Sequence, residues 1–214
     1  CYADIALPVE FVGHPFVAPE HAAPVSYDPA GPVLLLPGSR KQAVGRIFPA
    51  LLAGFAEFAR ERPGAEAVVL YPSDEILAVL RAADPPQNVR CRRMGGAVAA
   101  SAVLTSSGTM SMHCALAGIP GAIAYRANWL TYLLGKMLVK IEYLGIANLL
   151  LEEPMYPEFI QGAARADALA AQLRACVHDP ARTQRTAEQA GRLRELLNVP
   201  ASGTAAEWLA RMIP

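Results

Sequence analysis

Charge is scarce in this sequence. Asp, Glu, Lys and Arg make up 18% of its 214 residues, and 19 basic side chains balance 19 acidic ones to a formal net charge of zero. No global field therefore recruits nucleic acid or an anionic surface. The tight basic group Arg90, Arg92 and Arg93 reads as a solvated strand end. Cysteine is also sparse. Cys1, Cys91, Cys114 and Cys176 stand too far apart to signal a zinc site or a redox pair. Three of them lie among apolar neighbours, as buried thiols in a reducing compartment do. No apolar run reads as a membrane span: residues 129–151 are strongly apolar but interrupted by Lys136, Lys140 and Glu142. No signal peptide is expected from the start of the sequence. The start, Cys1-Tyr2-Ala3-Asp4, has no Met and no basic region, and it reads as a chain that begins mid-protein. Neither Gly-Lys-Ser/Thr nor Gly-x-Gly-x-x-Gly occurs, so no P-loop and no dinucleotide fingerprint is present.

What the sequence does have is apolar residues, at 53%, enough for a large core and against disorder. Short β-rich runs alternate with helical patterns. Strands are expected at residues 9–12, Val33–Leu36, Ala67–Tyr71, 88–91, Ala102–Thr105 and Gly121–Tyr125. Helices are expected over residues 47–62, 74–83 and 109–117. Continuous apolar strands between helices predict a parallel sheet covered on both faces, a doubly wound Rossmann-like α/β fold. After Tyr125 no further strand is expected. Helices over residues 165–177, 183–197 and Ala205–Met212 complete the chain, with the last one packing on its own domain or swapping into another copy. The organisation expected is a linker and first-strand region at 1–28, a Rossmann-like domain at 29–164 and C-terminal helices at 165–214.

Two strand-to-helix turns carry the chemistry. Leu34-Leu35-Leu36-Pro37-Gly38-Ser39-Arg40 runs from a buried strand into a glycine, a hydroxyl and an arginine before a helix. In a parallel sheet such a turn lies at the carboxyl edge, where ligands bind. Gly38 permits close backbone approach, Ser39 can cap the helix or donate to a phosphate, and Arg40 can grip a phosphate with two parallel donors. Thr105-Ser106-Ser107-Gly108-Thr109 repeats the arrangement, with free amides and a helix dipole at its end. Each is equally readable as an ordinary capped turn. Both must open on one edge of one sheet, however, and two such helix starts facing one crevice suit a diphosphate.

Taken in order, several motifs resemble the lipid-A-disaccharide synthase family. They are Val9-Glu10-Phe11-Val12-Gly13-His14-Pro15, Leu35-Leu36-Pro37-Gly38-Ser39-Arg40, Ser107-Gly108-Thr109 and Ala117-Gly118-Ile119-Pro120. Ala124-Tyr125-Arg126, Leu130-Thr131-Tyr132, Asn148-Leu149-Leu150 and Pro157-Glu158-Phe159-Ile160-Gln161 follow. The resemblance covers roughly residues 2–165. It implies one half of a two-domain GT-B glycosyltransferase, the half that binds UDP-2,3-diacylglucosamine, with no metal and no cofactor beyond the UDP-sugar substrate. The implied partners are a lipid acceptor, 2,3-diacylglucosamine 1-phosphate, and an N-terminal Rossmann-like half that would carry the acceptor site and the catalytic carboxylate. A cytoplasmic protein with peripheral contact at the inner membrane, and a homodimer, are compatible with it. By the same resemblance Gly38, Ser39, Arg40, Ser107, Gly108 and Thr109 hold the diphosphate. Tyr125 and Arg126 line the nucleotide pocket, and Asn148, Glu158 and Gln161 close the site.

Two positions depart from the family pattern. His113 stands where a glutamate is usual, one helical turn past Ser107-Gly108-Thr109, and Ala43 stands where an acidic residue is usual. A neutral His113 can accept one hydrogen bond from a ribose hydroxyl, or it can be a structural histidine. His14, which follows Gly13 in a linker, reads as structural rather than catalytic, and His21 and His178 show no partner signal. The apolar set Trp129, Leu130, Tyr132, Leu133, Met137, Leu138 and Tyr143, with Lys136 and Lys140 among them, reads either as a lipid-facing patch or as packing. A binding module without catalysis and a UDP-sugar epimerase are the alternative functions.

Overall fold

The computed structural model describes residues 10–18, 20–126, 142–198 and 203–213. Eight strands and seven α-helices follow in order: β1 (Val25–Tyr27), β2 (Val33–Leu36), α1 (Lys41–Glu61), β3 (Ala67–Tyr71), α2 (Asp74–Ala82), β4 (Val89–Arg93), β5 (Val98–Ala100), β6 (Ala102–Thr105), α3 (Thr109–Leu116), β7 (Gly121–Tyr125), α4 (Ile146–Leu151), β8 (Glu158–Ile160), α5 (Ala166–His178), α6 (Pro180–Leu197) and α7 (Ala205–Met212). Six strands form one parallel sheet in the order β4-β3-β2-β6-β7-β8. The chain walks outward from β2 on one side and from β6 on the other. The doubly wound expectation is therefore met, and the switch in direction falls between β2 and β6. A separate parallel pair, β1 with β5, joins Val25 to Val98.

All four residues of β2 and all four of β6 are buried. Alternation splits them between two cores. Leu35 and Leu104 pack with Phe48, Phe55 and Leu169 on the side of α1 and α5. Leu34, Leu36 and Val103 pack with Met112, Tyr156 and Leu193 on the side of α3 and α6. The C-terminal helices α5 and α6 thus complete the two layers that a parallel sheet needs. A glycine lets α1 and α5 approach closely: a Cβ on Gly54 would lie 2.6 Å from Cβ of Leu169.

Several expectations are corrected. Residues 10–12 belong to no strand, and the first strand is β1. Val9 and residues 129–141, with most of the apolar set around Trp129, lie outside the described residues. Strands do not stop at Tyr125, because β8 pairs with β7 through Ile123–Glu158 and Tyr125–Ile160. Three residues with no alternation carry too weak a pattern to read as a strand. Helix α1 begins at Lys41, six residues before its apolar pattern, because its first turn is mostly solvent-facing. Pro49 is tolerated inside it on the exposed face, where water can satisfy the released Gly45 carbonyl. Helix α7 lies against its own chain at the surface only, with Trp208 half-buried. None of its residues is buried, and Arg211 ion-pairs with Glu10 at 2.8 Å.

The Gly54 crossing gives a stability prediction. Gly54→Ala gains helix propensity but forces α1 and α5 apart, a net loss of about 1–2 kcal/mol. Thermal denaturation of the single variant and of the pair with Leu169→Gly would show the Gly54→Ala penalty shrinking once the Leu169 Cβ is removed.

Candidate functional site

The register of the two central strands builds the site. Leu36 at the end of β2 stands opposite Thr105 at the end of β6. One more ladder bond follows, from the Ser106 amide to the Leu36 carbonyl at 2.8 Å. Both chains then leave the sheet side by side, and each starts a helix within a few residues: α1 after Arg40 and α3 after Gly108. Between them opens a cleft of about 830 Å³. Two orphan-amide helix starts, each with the positive end of its dipole, border it.

Gly38 is required where it stands. Its φ of +104° is a left-handed value, and an added Cβ would sit 3.1 Å from Oγ of Ser106 on the facing loop. The hydroxyls around the cleft divide into two kinds. Thr105 donates to the Ser106 carbonyl at 2.7 Å, Ser107 to the Leu144 carbonyl at 2.7 Å, and Ser111 back to the Gly108 carbonyl at 2.6 Å. A hydroxyl has one proton, so these three can only accept further bonds. Ser39, Ser106 and Thr109 have no such commitment among the described residues and keep a donor for a ligand.

The lining is cationic. Arg40, Lys41, Arg46 and Arg126 border the cleft, and among the described residues no Asp or Glu does. Lys41 shares its charge with Glu75 at 3.5 Å, an exposed and weak pairing. Arg126 donates to the Ala164 carbonyl at 2.7 Å, which fixes its direction while leaving its charge uncompensated. Among the described residues Arg40 and Arg46 have no ion-pair partner. The predicted residues Gly38, Ser39, Arg40, Ser107, Gly108, Thr109, Tyr125 and Arg126 all line this cleft. Ser106, Lys41 and Arg46 also line it and were missed. For Ser106 the signal was present in the hydroxyl run. For Lys41 and Arg46 it was hidden, because the helix start was placed too late.

Asn148 and Glu158 are brought together elsewhere. The Glu158 carboxylate accepts from the Leu144 amide at 2.9 Å, the Gly145 amide at 2.9 Å and Asn148 Nδ2 at 2.8 Å. Asn148, fully buried, also donates to the Tyr156 carbonyl and accepts from the Tyr156 amide. Both side chains are taken up in holding the 144–148 turn against β8, and that turn presents the Leu144 carbonyl that orients Ser107. Neither borders the cleft, and nor does Gln161, which follows β8 with a φ of +54°.

His113 points to a second cavity of about 530 Å³ on another side of α3. Its ring stacks on His21 at 5.1 Å and meets Phe16 at 4.0 Å. Burial, and then the nearby His21 and His14, hold its pKa below the usual 6.5. The buried thiols are inert: burial pushes Cys114 far above its usual range and Cys176 up to about 11. Among the described residues, no group of three or more His, Cys, Asp or Glu side chains is placed to hold a metal ion, and no helix is long and apolar enough to cross a membrane.

Three outcomes follow from this geometry. Gly38→Ala costs about 1–2 kcal/mol through its left-handed backbone, read as a lower Tm. Glu158→Gln puts an amide donor against amide donors, and the lost acceptor costs about 1–3 kcal/mol, also read by thermal denaturation. For His113 the folded chain binds its proton less readily than the unfolded chain. Its contribution to stability is whole above about pH 6.5 and declines as pH falls through the lowered pKa. The Tm of the native chain should therefore drop more steeply below pH 6.5 than that of His113→Gln.

Comparisons with known proteins agree with this architecture. A family model described as lipid-A-disaccharide synthetase matches residues 1–212. The lipid-A-disaccharide synthase of Geobacter metallireducens is 34% identical over 227 residues, covering 99% of this chain and 58% of that protein. The synthase of Geobacter sulfurreducens is 32% identical over 199 residues, covering 86% and 52%. Among solved structures, spinosyn rhamnosyltransferase superposes with a TM-score of 0.57 at 17% identity, over 99% of this chain and 53% of that one. The fold is thus one Rossmann-like half of a GT-B architecture, and the chain spans little more than half the length of the curated relatives it matches. On the extent of the family match and the identity to these relatives, the chain belongs to the lipid-A-disaccharide synthase family.

Proposed function

We propose that the cleft between the β2 and β6 loops holds the diphosphate of a UDP-sugar, and that this chain is the donor-binding half of a glycosyltransferase forming the lipid A disaccharide. The reaction transfers 2,3-diacylglucosamine from UDP to the sugar hydroxyl of a 2,3-diacylglucosamine 1-phosphate acceptor. The observation that carries the reading is the pairing of two helix starts at the sheet's switch point, in a cleft bordered by arginines and, among the described residues, by no carboxylate.

The chemistry follows from that placement. As the bond from the sugar's anomeric carbon to the β-phosphate oxygen breaks, negative charge grows on the departing UDP. Arg40, Arg126 and the amides of both helix starts face that charge, with the Ser39, Ser106 and Thr109 hydroxyls as donors. They supply the stabilisation that a metal ion provides in other transferases. The acceptor hydroxyl must lose a proton as it attacks. Among the described residues no carboxylate or histidine borders the cleft to take it. In this reading a base from outside the described cleft takes that proton, and the cleft itself serves to bind donor. Tyr125 and Arg126 line the nucleotide side, while Asn148 and Glu158 support the site through the Leu144 turn.

Calorimetric titration with UDP tests the reading. Arg40→Ala should weaken binding about tenfold, the loss of one charge-assisted contact. No heat from the native chain at millimolar UDP would overturn the proposal, as would an Arg40→Ala chain that binds equally well.

A further inference from the structure

The oxygens of the cleft differ in whether they still have a proton to give. A diphosphate that joins a nucleoside to a sugar offers only acceptor oxygens, so it suits groups that donate. Ser39, Ser106, Thr109 and the amides of the two helix starts are such groups. Ser107 is not. Its hydroxyl proton goes to the Leu144 carbonyl at 2.7 Å, and its oxygen can then only accept. That commitment is built into the fold. The Glu158 carboxylate holds the Leu144 and Gly145 amides at 2.9 Å each and Asn148 Nδ2 at 2.8 Å, which fixes the turn that carries the Leu144 carbonyl. Against a phosphate oxygen, the Ser107 oxygen would set one lone pair facing another.

Thr105 and Ser111 are committed in the same way, but at 1% and 3% exposure they are closed to a ligand. Ser107 is half-buried on the cleft wall. Among the described residues it is thus the one acceptor-only hydroxyl that a ligand can touch. A carboxylate or a neutral histidine would be the alternative acceptor for a ligand's own proton. Among the described residues none borders the cleft, and His113 stands at the second cavity. Gln42 and Tyr125 line the cleft too, but each carries a donor as well as an acceptor.

We infer that Ser107 is a specificity-determining residue, which accepts a hydrogen bond from a hydroxyl or N–H of the donor substrate beside the diphosphate rather than holding the diphosphate itself. The inference rests on the cleft being the UDP-sugar site. A ligand portion that brings its own proton, from the hexose or from the nucleoside, satisfies the Ser107 oxygen, and a phosphoryl group does not. The Ser107-Gly108-Thr109 motif is thereby divided. Thr109 faces the charged part of the ligand and Ser107 an uncharged part.

The test is calorimetric titration of the native chain and of Ser107→Ala with pyrophosphate, UDP and UDP-N-acetylglucosamine. Ser107→Ala should keep its pyrophosphate affinity within about twofold of native. It should bind UDP-N-acetylglucosamine about fivefold more weakly, the loss of one neutral hydrogen bond. An equal loss on UDP puts the ligand's donor group on the nucleoside, and a loss on UDP-N-acetylglucosamine alone puts it on the hexose. Circular dichroism melts confirm that the variant folds. Two results overturn the inference alone: a loss of about fivefold or more on pyrophosphate, or native affinity of Ser107→Ala for both UDP and UDP-N-acetylglucosamine. A native chain that binds neither nucleotide overturns the UDP-sugar reading, and the inference falls with it.

Discussion

The pairing of β2 with β6 is the constraint on which everything else in this molecule depends. Their register places Leu36 against Thr105, and the Ser106 amide continues the ladder by one bond after the strands have ended. A slip of one residue would turn Leu34 and Leu36 onto the wrong face and would also separate the two loops. Because the strands are buried on both faces, such a slip exposes apolar side chains to the wrong layer at each position. The core therefore enforces the geometry of the cleft. The hydrophobic energy that holds the sheet together also holds two helix starts side by side.

A polar network extends that order to the far side of the cleft. Glu158 gathers the amides of Leu144 and Gly145 with the Asn148 side chain, and Gly145 fits there because a Cβ would meet Ile123 at 2.5 Å. The Leu144 carbonyl then takes the proton of Ser107. A residue at the third strand from the switch point in this way settles which hydroxyls of the β6 loop can donate to a ligand. Asn148 and Glu158 sit in the family motifs for the site, yet in this fold they act one step behind it.

Much of the fold was legible because strong signals were local. Four-residue apolar runs ending in Pro-Gly or Ser-Ser marked β2 and β6, and helical spacing with Pro and Gly stops marked α1, α2 and α3. Weak signals failed where the pattern was short. Three-residue strands such as β1, β5 and β8 have no period to read, and they exist because a neighbour offers free backbone groups to pair with. The start of α1 was misplaced because its first turn faces solvent and carries no apolar pattern, and that error concealed Lys41 and Arg46.

By itself the sequence determined the doubly wound class, the two loops with Gly38, Ser39, Arg40, Ser107, Gly108 and Thr109, and the family motifs. Those follow from residue type and spacing within short windows. Only the tertiary structure decided which hydroxyls have a proton to give, that Asn148 and Glu158 brace a turn, that His113 stacks with His21 and Phe16 away from the cleft, and that α7 lies unburied. The reason is physical. A side chain's role at a site depends on which partners reach it across the fold, and those partners come from segments tens of residues away.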